Sequence, residues 1–234
     1  MSEWWTYGPS DFLMFSARTY YRMLELHNLA WWPLQPFLLL SGFGLLWSTR
    51  SGVRRAAQMA LILVGLGWLF VAWAFHWMRY AEINWGAHYF GVAFAAQGLL
   101  LICLALVSRN LRLMRSDAAA RVGVGLLIIA VLGYPMLALV SGRPLAQSEC
   151  FGLAPDPTAL ATLGMVLCLR GFHRRKHPRA TGLLLMLVPL LWCAVTGATR
   201  WTLGSPDWFL MPAAGIVALM FGWRQSRLSR EDGR

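Results

Sequence analysis

The sequence predicts an all-α integral membrane bundle of seven transmembrane helices preceded by an interfacial amphipathic helix. Of its 234 residues, 58% are hydrophobic and only 13% are charged, whereas soluble domains carry about 25% charged residues. Nearly uncharged stretches alternate with short loops, and roughly 20 apolar residues are enough for a helix to cross a hydrocarbon core about 30 Å thick. The predicted spans are residues 28–48, 56–76, 87–107, 122–141, 156–172, 181–199 and 208–223.

The basic residues fall in every second loop, and this asymmetry predicts the orientation of the bundle. Sixteen of the 21 basic residues lie in or beside three loops and the C-terminal tail: Arg50, Arg54, Arg55, Arg109, Arg112, Arg115, Arg121, Arg170, Arg174, Arg175, Lys176, Arg179, Arg224, Arg227, Arg230 and Arg234. Because arginine-rich loops stay in the cytoplasm, the N-terminus is predicted outside and the C-terminus inside. The chain then divides into an extracytoplasmic interfacial segment (1–27), a seven-helix transmembrane domain (28–223) and a basic cytoplasmic tail (224–234).

The net charge of +11 is distributed among separate loops, which argues against a nucleic-acid surface. Short basic loops next to membrane spans favour contact with anionic lipids of the cytoplasmic leaflet. The predicted partners are therefore membrane lipids and other membrane subunits, and not nucleic acid.

Residues 10–27 predict a helix that lies in the outer interface. Ser10 is the expected N-cap, and a polar side that includes Arg18 and Arg22 opposes a broken apolar stripe. The stripe comprises Phe12, Phe15, Tyr20, Met23 and Leu24. The alternatives for this helix are a membrane anchor and a lid over an outward-facing cavity. The first twelve residues lack the basic start and continuous apolar core of a cleavable signal peptide, so the first span is expected to act as the insertion signal.

Three further patterns concern helix packing. Gly91, Ala95 and Gly98 fall on nearly one side of the third span, which predicts close approach of another helix. The Gly133-Tyr134-Pro135 sequence predicts a kink in the fourth span. The four cysteines do not form a disulfide framework, and they are expected to be small packing residues, with a soft-metal pair of Cys103 and Cys168 as the alternative.

Two blocks of the sequence resemble an uncharacterised family of bacterial multi-pass inner-membrane proteins, a domain-of-unknown-function family. They read WTYGPSDFLMFSARTYYR over residues 5–22 and FGLAPDPT over residues 151–158. Ile83-Asn84-Trp85 and Gln97 fit the same pattern. The resemblance implies location in the bacterial inner (plasma) membrane, but it implies no activity. Relatives often carry a cysteine in the Pro-x-Pro-Thr block, where this chain has Asp156 or its neighbour, which weakens any role for a thiol.

Polar side chains within apolar spans predict where a ligand would bind, because such groups usually face a partner or a cavity. The predicted substrate-binding residues are Gln97, Tyr134, Asp156, Thr158 and Thr162. The alternative for the threonines is a hydrogen bond back to their own helix, and for Gln97 a bond between helices. A dense polar and aromatic segment before the third span predicts an outer vestibule formed by Trp77, Arg79, Tyr80, Glu82, Asn84 and Trp85.

Histidines near the outer side offer a second kind of site. His76 and His88, with His27, Glu82 and Asp156 as additional ligands, could bind a metal or haem. The spacing is not that of a specific motif, and hydrogen-bonded interfacial histidines are the competing interpretation. No cofactor is otherwise indicated.

The sequence favours small-solute or ion transport, or the membrane subunit of such a system. The alternatives are a metal- or haem-binding membrane module and a ligand-free scaffold or assembly factor. Enzyme activity is not favoured and no catalytic residue is assigned, because the chain has no Gly-rich phosphate loop, nucleophile elbow or HExxH motif.

Overall fold

The fold is all-α, with one two-stranded antiparallel sheet. The computed structural model describes residues 13–108, 110–114, 117–170 and 178–231. Its α-helices are α1 (Ala17–Ala30), α2 (Leu34–Ser48), α3 (Arg54–Phe70), α4 (Ala87–Val107), α5 (Ala118–Ile128), α6 (Tyr134–Val140), α7 (Pro155–Cys168), α8 (Pro178–Thr202) and α9 (Leu210–Glu231). The strands are β1 (Arg112–Leu113) and β2 (Leu169–Arg170).

Each of the seven predicted spans overlaps a described helix without matching its bounds throughout, and these helices differ in length and hydropathy. Within the described residues, four helical stretches are long and apolar enough to cross a membrane: Arg54–Glu82, Ala87–Val107, Ala118–Val140 and Thr181–Thr202. The pair α1 and α2 makes a fifth candidate, although its two helices meet at 90°. The remaining predicted spans correspond to α7, which has only 14 residues, and to α9, which continues past the predicted end at 223.

Helix α7 is the centre of the bundle. Every residue from Pro155 to Cys168 is buried, and the helix packs against α3, α5, α8 and α9. A 14-residue helix rises only about 21 Å at 1.5 Å per residue, which is less than the hydrocarbon thickness of about 30 Å. Because every residue of α7 is buried, the surrounding helices shield it on all sides, including its polar N-terminal turn.

The N-terminal helix begins later than predicted. Residues 13–16 are not helical, and Ser16 is the N-cap of α1, where its side chain accepts a hydrogen bond from the Thr19 backbone N–H. Ser10 as the N-cap is therefore wrong for this helix, and Ser10 itself lies outside the described residues. The buried side of α1 contains Tyr20, Met23 and Leu24 of the predicted stripe.

Two spans change their hydrogen-bonding pattern along their length. Helix α3 continues as a π-helix from Val71 to Trp77, followed by a 3₁₀ turn from Tyr80 to Glu82. A second π-helix joins α5 to α6 from Ile129 to Gly133. It lies directly before the Tyr134-Pro135 pair, where the sequence predicts a kink.

Paired glycines bring helices into contact. A Cβ on Gly98 would lie 2.7 Å from the Gly65 carbonyl oxygen, so the predicted close approach at Gly98 of α4 is confirmed, with α3 as the partner. Gly91 instead accommodates the Trp77 indole. None of the four cysteines forms a disulfide bond in the structure.

The described parts of two basic loops meet at one end of the bundle. There β1 pairs with β2, and Arg170 binds the Asp117 carboxylate. Burial acts to raise the pKa of Asp117, but the Ala120 N–H and Arg170 outweigh it and lower that pKa. The predicted tail from residue 224 begins within α9, which extends to Glu231.

Candidate functional site

Four charged side chains meet inside the opposite end of the bundle. The Arg200 guanidinium binds the carboxylates of Glu149, Asp156 and Asp207, and Nη2 of Arg200 lies 2.9 Å from Oδ2 of Asp156. We call these four residues the Arg200 cluster. Arg200 and Glu149 are each 3% exposed and Asp156 is 1% exposed, so the cluster is shielded from solvent.

Each member of the cluster comes from a different local structure. Glu149 follows the 3₁₀ turn at Leu145–Gln147, and Asp156 lies in the first turn of α7, where the positive end of the helix dipole stabilises a carboxylate. Arg200 lies in the last turn of α8. Asp207 belongs to the turn that leads into α9, in which the Ser205 N–H donates to the Arg200 carbonyl.

Helix α8 presents three donors to Asp156 from one of its faces. Trp192, Thr196 and Arg200 are spaced four residues apart, so they share a side of the helix. The Trp192 indole N–H donates to Oδ1 of Asp156 over 2.8 Å, and the Thr196 hydroxyl donates to the same oxygen over 2.7 Å. Asp156 therefore receives hydrogen bonds at both carboxylate oxygens.

The cluster carries more negative than positive charge. One guanidinium faces three carboxylates, which leaves a formal net charge of −2 when all are ionised. Within the described residues, Oε2 of Glu149 and Nε of Arg200 are buried without a hydrogen-bond partner. Because an uncompensated buried charge costs several kcal/mol, this arrangement favours uptake of a cation by the cluster.

Glu149 is the carboxyl group on which a proton would reside. Burial raises the pKa of Glu149 from 4.5 to about 7, and the Asp156 carboxylate acts in the same direction. Arg200 and Arg143 oppose this rise without cancelling it. Glu149 also has a free oxygen, whereas both oxygens of Asp156 are occupied.

A small cavity adjoins the cluster. It is lined by Tyr20, Phe75, Tyr80, Trp192, Thr196, Thr199 and Arg200. The space open to the centre of a water-sized sphere is about 10 Å³, close to the minimum of about 10–15 Å³ that one water molecule requires. Tyrosine and threonine hydroxyls together with the guanidinium give such a water polar partners.

The structure brings some of the predicted substrate-binding residues to this cluster and uses the others for packing. Asp156 is a member, and Tyr134 is buried near Asp156 and Arg200. Gln97 donates to the Leu185 carbonyl over 2.9 Å, so it links α4 to α8. Its amide oxygen has no partner among the described residues.

The two threonines of α7 make the hydrogen bonds to their own helix that the sequence left as an alternative. Thr158 donates to the Ala154 carbonyl and Thr162 donates to the Thr158 carbonyl. Each also accepts a bond, Thr158 from the Gly152 N–H and Thr162 from the Trp68 indole. Both hydroxyls therefore hold the surroundings of α7 in place.

The predicted vestibule residues separate into an inner and an outer set. Tyr80 is buried and lines the small cavity, whereas Arg79 and Glu82 line an open groove against α1. Asn84 accepts from the Gly86 N–H. Trp77 donates to the His88 carbonyl, and Trp85 is exposed. Neither of these two cavities, which are formed by described residues, is lined by all six of these side chains.

The three described histidines lie in different surroundings. His76 is completely buried against aromatic rings, including Phe94 and Trp192, while His88 is exposed. His27 bonds to the Leu153 carbonyl over 3.1 Å. Within the part of the chain that the structure describes, no three His, Cys, Asp or Glu side chains are grouped to hold a metal ion.

Sequence reasoning missed Arg200, Glu149 and Asp207 as site residues. The spacing of Trp192, Thr196 and Arg200 was the available signal, because a polar stripe with a period of four in an apolar helix indicates a buried polar partner.

These observations define an all-α protein in which several helices are long and apolar enough to cross a membrane. A buried cluster of charged side chains lies at one end of its bundle. The chain belongs to a family described as a family of unknown function (DUF6064), whose model matches residues 17–232. This confirms the resemblance to an uncharacterised domain-of-unknown-function family. No curated protein and no solved structure matches the chain.

Proposed function

We propose that this chain is a seven-pass protein of the bacterial inner membrane that carries out small-solute or ion transport, alone or as a membrane subunit. In this proposal the N-terminus is extracytoplasmic and the C-terminus is cytoplasmic. The Arg200 cluster binds and releases the proton that is coupled to transport. The observation that carries the proposal is the excess of carboxylates around a single buried guanidinium.

The outer surface of the bundle supports a membrane location. Large apolar side chains are exposed on several helices, including Leu40, Trp47, Met59, Val92 and Leu106. Soluble proteins rarely expose contiguous apolar surface on this scale, whereas a bilayer buries it. The short helix α7 is compatible with a crossing because other helices surround it.

The cluster supports proton binding better than a purely structural role. Ionisable residues inside membrane proteins are costly, and they commonly mark ion pathways and proton relays. A structural ion pair would balance its charges, whereas this cluster has two carboxylates in excess. The unpartnered oxygen of Glu149 is the position where one proton would reduce that excess.

A route for the proton also exists beside the cluster. The cavity next to Arg200 has room for one water molecule, and the hydroxyls of Tyr20 and Tyr80 belong to residues that line it. Both tyrosines lie on segments that reach the same end of the bundle. A water there would connect the cluster to hydroxyl groups that can relay a proton.

Infrared difference spectroscopy during a pH titration of the purified protein tests proton binding directly. We expect a protonated carboxyl band that titrates near pH 7 and disappears in Glu149→Gln. Glu82→Gln, which removes an exposed acid near the same end, is the matched control and should retain the band. A band that is absent from the wild type, or unchanged in Glu149→Gln, would overturn the proton site.

Flux through proteoliposomes tests the transport role. Uptake of candidate small solutes and ions should depend on an imposed pH gradient, and Asp156→Asn should abolish that dependence. If no solute is transported, and cells carrying Gln97→Leu or Asp156→Asn behave as wild type, transport is the wrong function.

A reporter fused after Arg234 tests orientation, and a periplasmic signal would invert the proposed topology.

A further inference from the structure

An open groove lies at the same end of the bundle as the Arg200 cluster, on the other side of α1. It encloses about 320 Å³, within the range of about 300–1,000 Å³ that is usual for small-molecule sites. Its lining combines three guanidinium groups, one carboxylate, a hydroxyl and an apolar floor. The lining residues are Arg18, Thr19, Arg22, Met23, Leu26, Arg79, Glu82 and Ile83.

The positive charge in this groove is concentrated by the fold. Arg18 and Arg22 are four residues apart on α1, so they occupy one face of the helix, and like charges at this spacing destabilise a helix. Arg79 comes from a distant part of the sequence and lines the same space. Three guanidinium groups against the single carboxylate of Glu82 leave a formal excess of two positive charges in the lining.

This excess is only partly balanced by the protein itself. Arg22 forms an ion pair with Glu25 on the same helix. Among the residues that the structure describes, Arg18 and Arg79 form no ion pair and no hydrogen bond with another side chain. Two guanidinium groups with free donors therefore face a cavity of suitable size for a ligand.

We propose that this groove binds a small molecule through an oxyanion, either a carboxylate or a phosphate, held by Arg18 and Arg79. Guanidinium groups donate paired hydrogen bonds that match the geometry of both oxyanions. Met23, Leu26 and Ile83 form the apolar part of the lining, against which the carbon skeleton of the ligand packs. Glu82 disfavours highly charged anions and can pair with a cationic group of a zwitterionic ligand.

The groove and the Arg200 cluster share a wall. Thr19 and Met23 line the groove, while Tyr20 of the same helix lines the small cavity beside Arg200. Tyr80 also lines that cavity, while its neighbours Arg79 and Glu82 line the groove, so α1 and the 3₁₀ turn at Tyr80–Glu82 both contribute to the separation. The idea that this ligand is the transported solute rests on the proposed function. The binding of the ligand to the groove does not depend on that function.

Binding can be measured on the whole protein in a neutral detergent without added lipid. Isothermal titration at low and at physiological salt would use inorganic phosphate, succinate and glutamate as probes. We expect saturable binding of at least one probe, weakened at least tenfold in Arg79→Gln and in Arg18→Gln. Arg112→Gln is the matched control, because Arg112 is exposed at the opposite end of the bundle, and it should bind as wild type.

The same chemistry could come from the phosphate of an anionic lipid, and a second measurement separates the two sources. Nanodiscs with and without phosphatidylglycerol would be compared for lipid retained through purification. Lipid retention that depends on Arg18 and Arg79, without binding of any soluble probe, would assign the groove to a headgroup. Binding that is absent in both arms, or that is equal in the groove variants and in Arg112→Gln, would overturn the proposal.

These outcomes are distinguishable from failure of the transport proposal. Loss of flux with intact binding in the groove would leave the oxyanion site in place and reject transport. Proton-dependent flux with no oxyanion binding would support transport and reject the oxyanion site. A Glu149→Gln protein should still bind the probe, because Glu149 does not line the groove.

Discussion

Arg200 donates a hydrogen bond of 2.9 Å to Asp156, joining the last turn of α8 to the first turn of the central helix α7. The two residues are 44 positions apart in sequence, and both are buried. Trp192 and Thr196 add two further donors from α8. Asp156 is therefore held by hydrogen bonds at both carboxylate oxygens, whereas Oε2 of Glu149 is buried without a partner among the described residues.

Removing the guanidinium should destabilise the fold strongly. In Arg200→Gln three buried carboxylates lose their counter-charge, and breaking a buried ion pair typically costs about 3–5 kcal/mol. We expect a large decrease in the thermal unfolding midpoint in detergent. Arg112→Gln removes an exposed arginine and should change the midpoint little. Equal midpoints for the two variants would contradict the burial of the cluster.

Glu149 should make stability depend on pH. Its pKa is raised from 4.5 to about 7 in the folded protein, chiefly by burial, so the folded state binds more protons than the unfolded state between these values. Stability is then highest below pH 4.5 and falls as the pH rises to about 7. Relative to Glu149→Gln, the thermal unfolding midpoint of the wild type should decrease between pH 4.5 and about pH 7. Above about pH 7 the difference between the two midpoints should stay constant. The opposite slope would show that Arg200 keeps Glu149 ionised.

Much of the helical fold follows from the sequence, because apolar length and loop charge are local properties. The predicted span 87–107 coincides with α4, and Gly98 lies at a close helix contact as predicted. The ends of other helices depend on packing. Residues 13–16 before α1 are not helical, and α7 ends at Cys168 because β2 begins there.

The candidate site was less accessible from sequence, since its members come from distant segments. Asp156 and Tyr134 were recognisable as polar groups in or beside apolar spans. Their partner Arg200 is not recognisable from sequence, because an arginine near a helix end usually extends to the membrane interface. Only the packing of α8 against α7 shows that it turns inward to Asp156.

The threonines of α7 provide a test of the packing around the central helix. Thr162→Val keeps the shape of the side chain but leaves the Trp68 indole N–H, now 2.7 Å from the hydroxyl, without its acceptor. An unsatisfied buried donor costs about 1–3 kcal/mol. Thr202→Val is the control, because Thr202 bonds only to its own helix near the surface. Comparable losses in both variants would contradict a specific role for the Trp68 bond.

The crossing of α5 and α7 depends on a pair of glycines. A Cβ on Gly123 would lie 2.4 Å from the Gly164 carbonyl oxygen, and a Cβ on Gly164 would lie 2.5 Å from the Gly123 carbonyl oxygen. Alanine at either position must push the helices apart, and overpacking of this kind costs about 1–3 kcal/mol. Gly164→Ala should therefore lower the unfolding midpoint.

Gly125 is the internal control for this crossing, because it lies on the same helix as Gly123 and a Cβ there would meet no atom within 4 Å. Alanine in a helix is favoured over glycine by about 0.5–1 kcal/mol, so Gly125→Ala should raise the unfolding midpoint slightly. Gly164→Ala and Gly125→Ala are chemically identical and differ only in the atoms that surround the added methyl group. If Gly164→Ala also raises the midpoint, helix propensity rather than contact between backbones governs position 164, and α7 is not held as closely as the structure indicates.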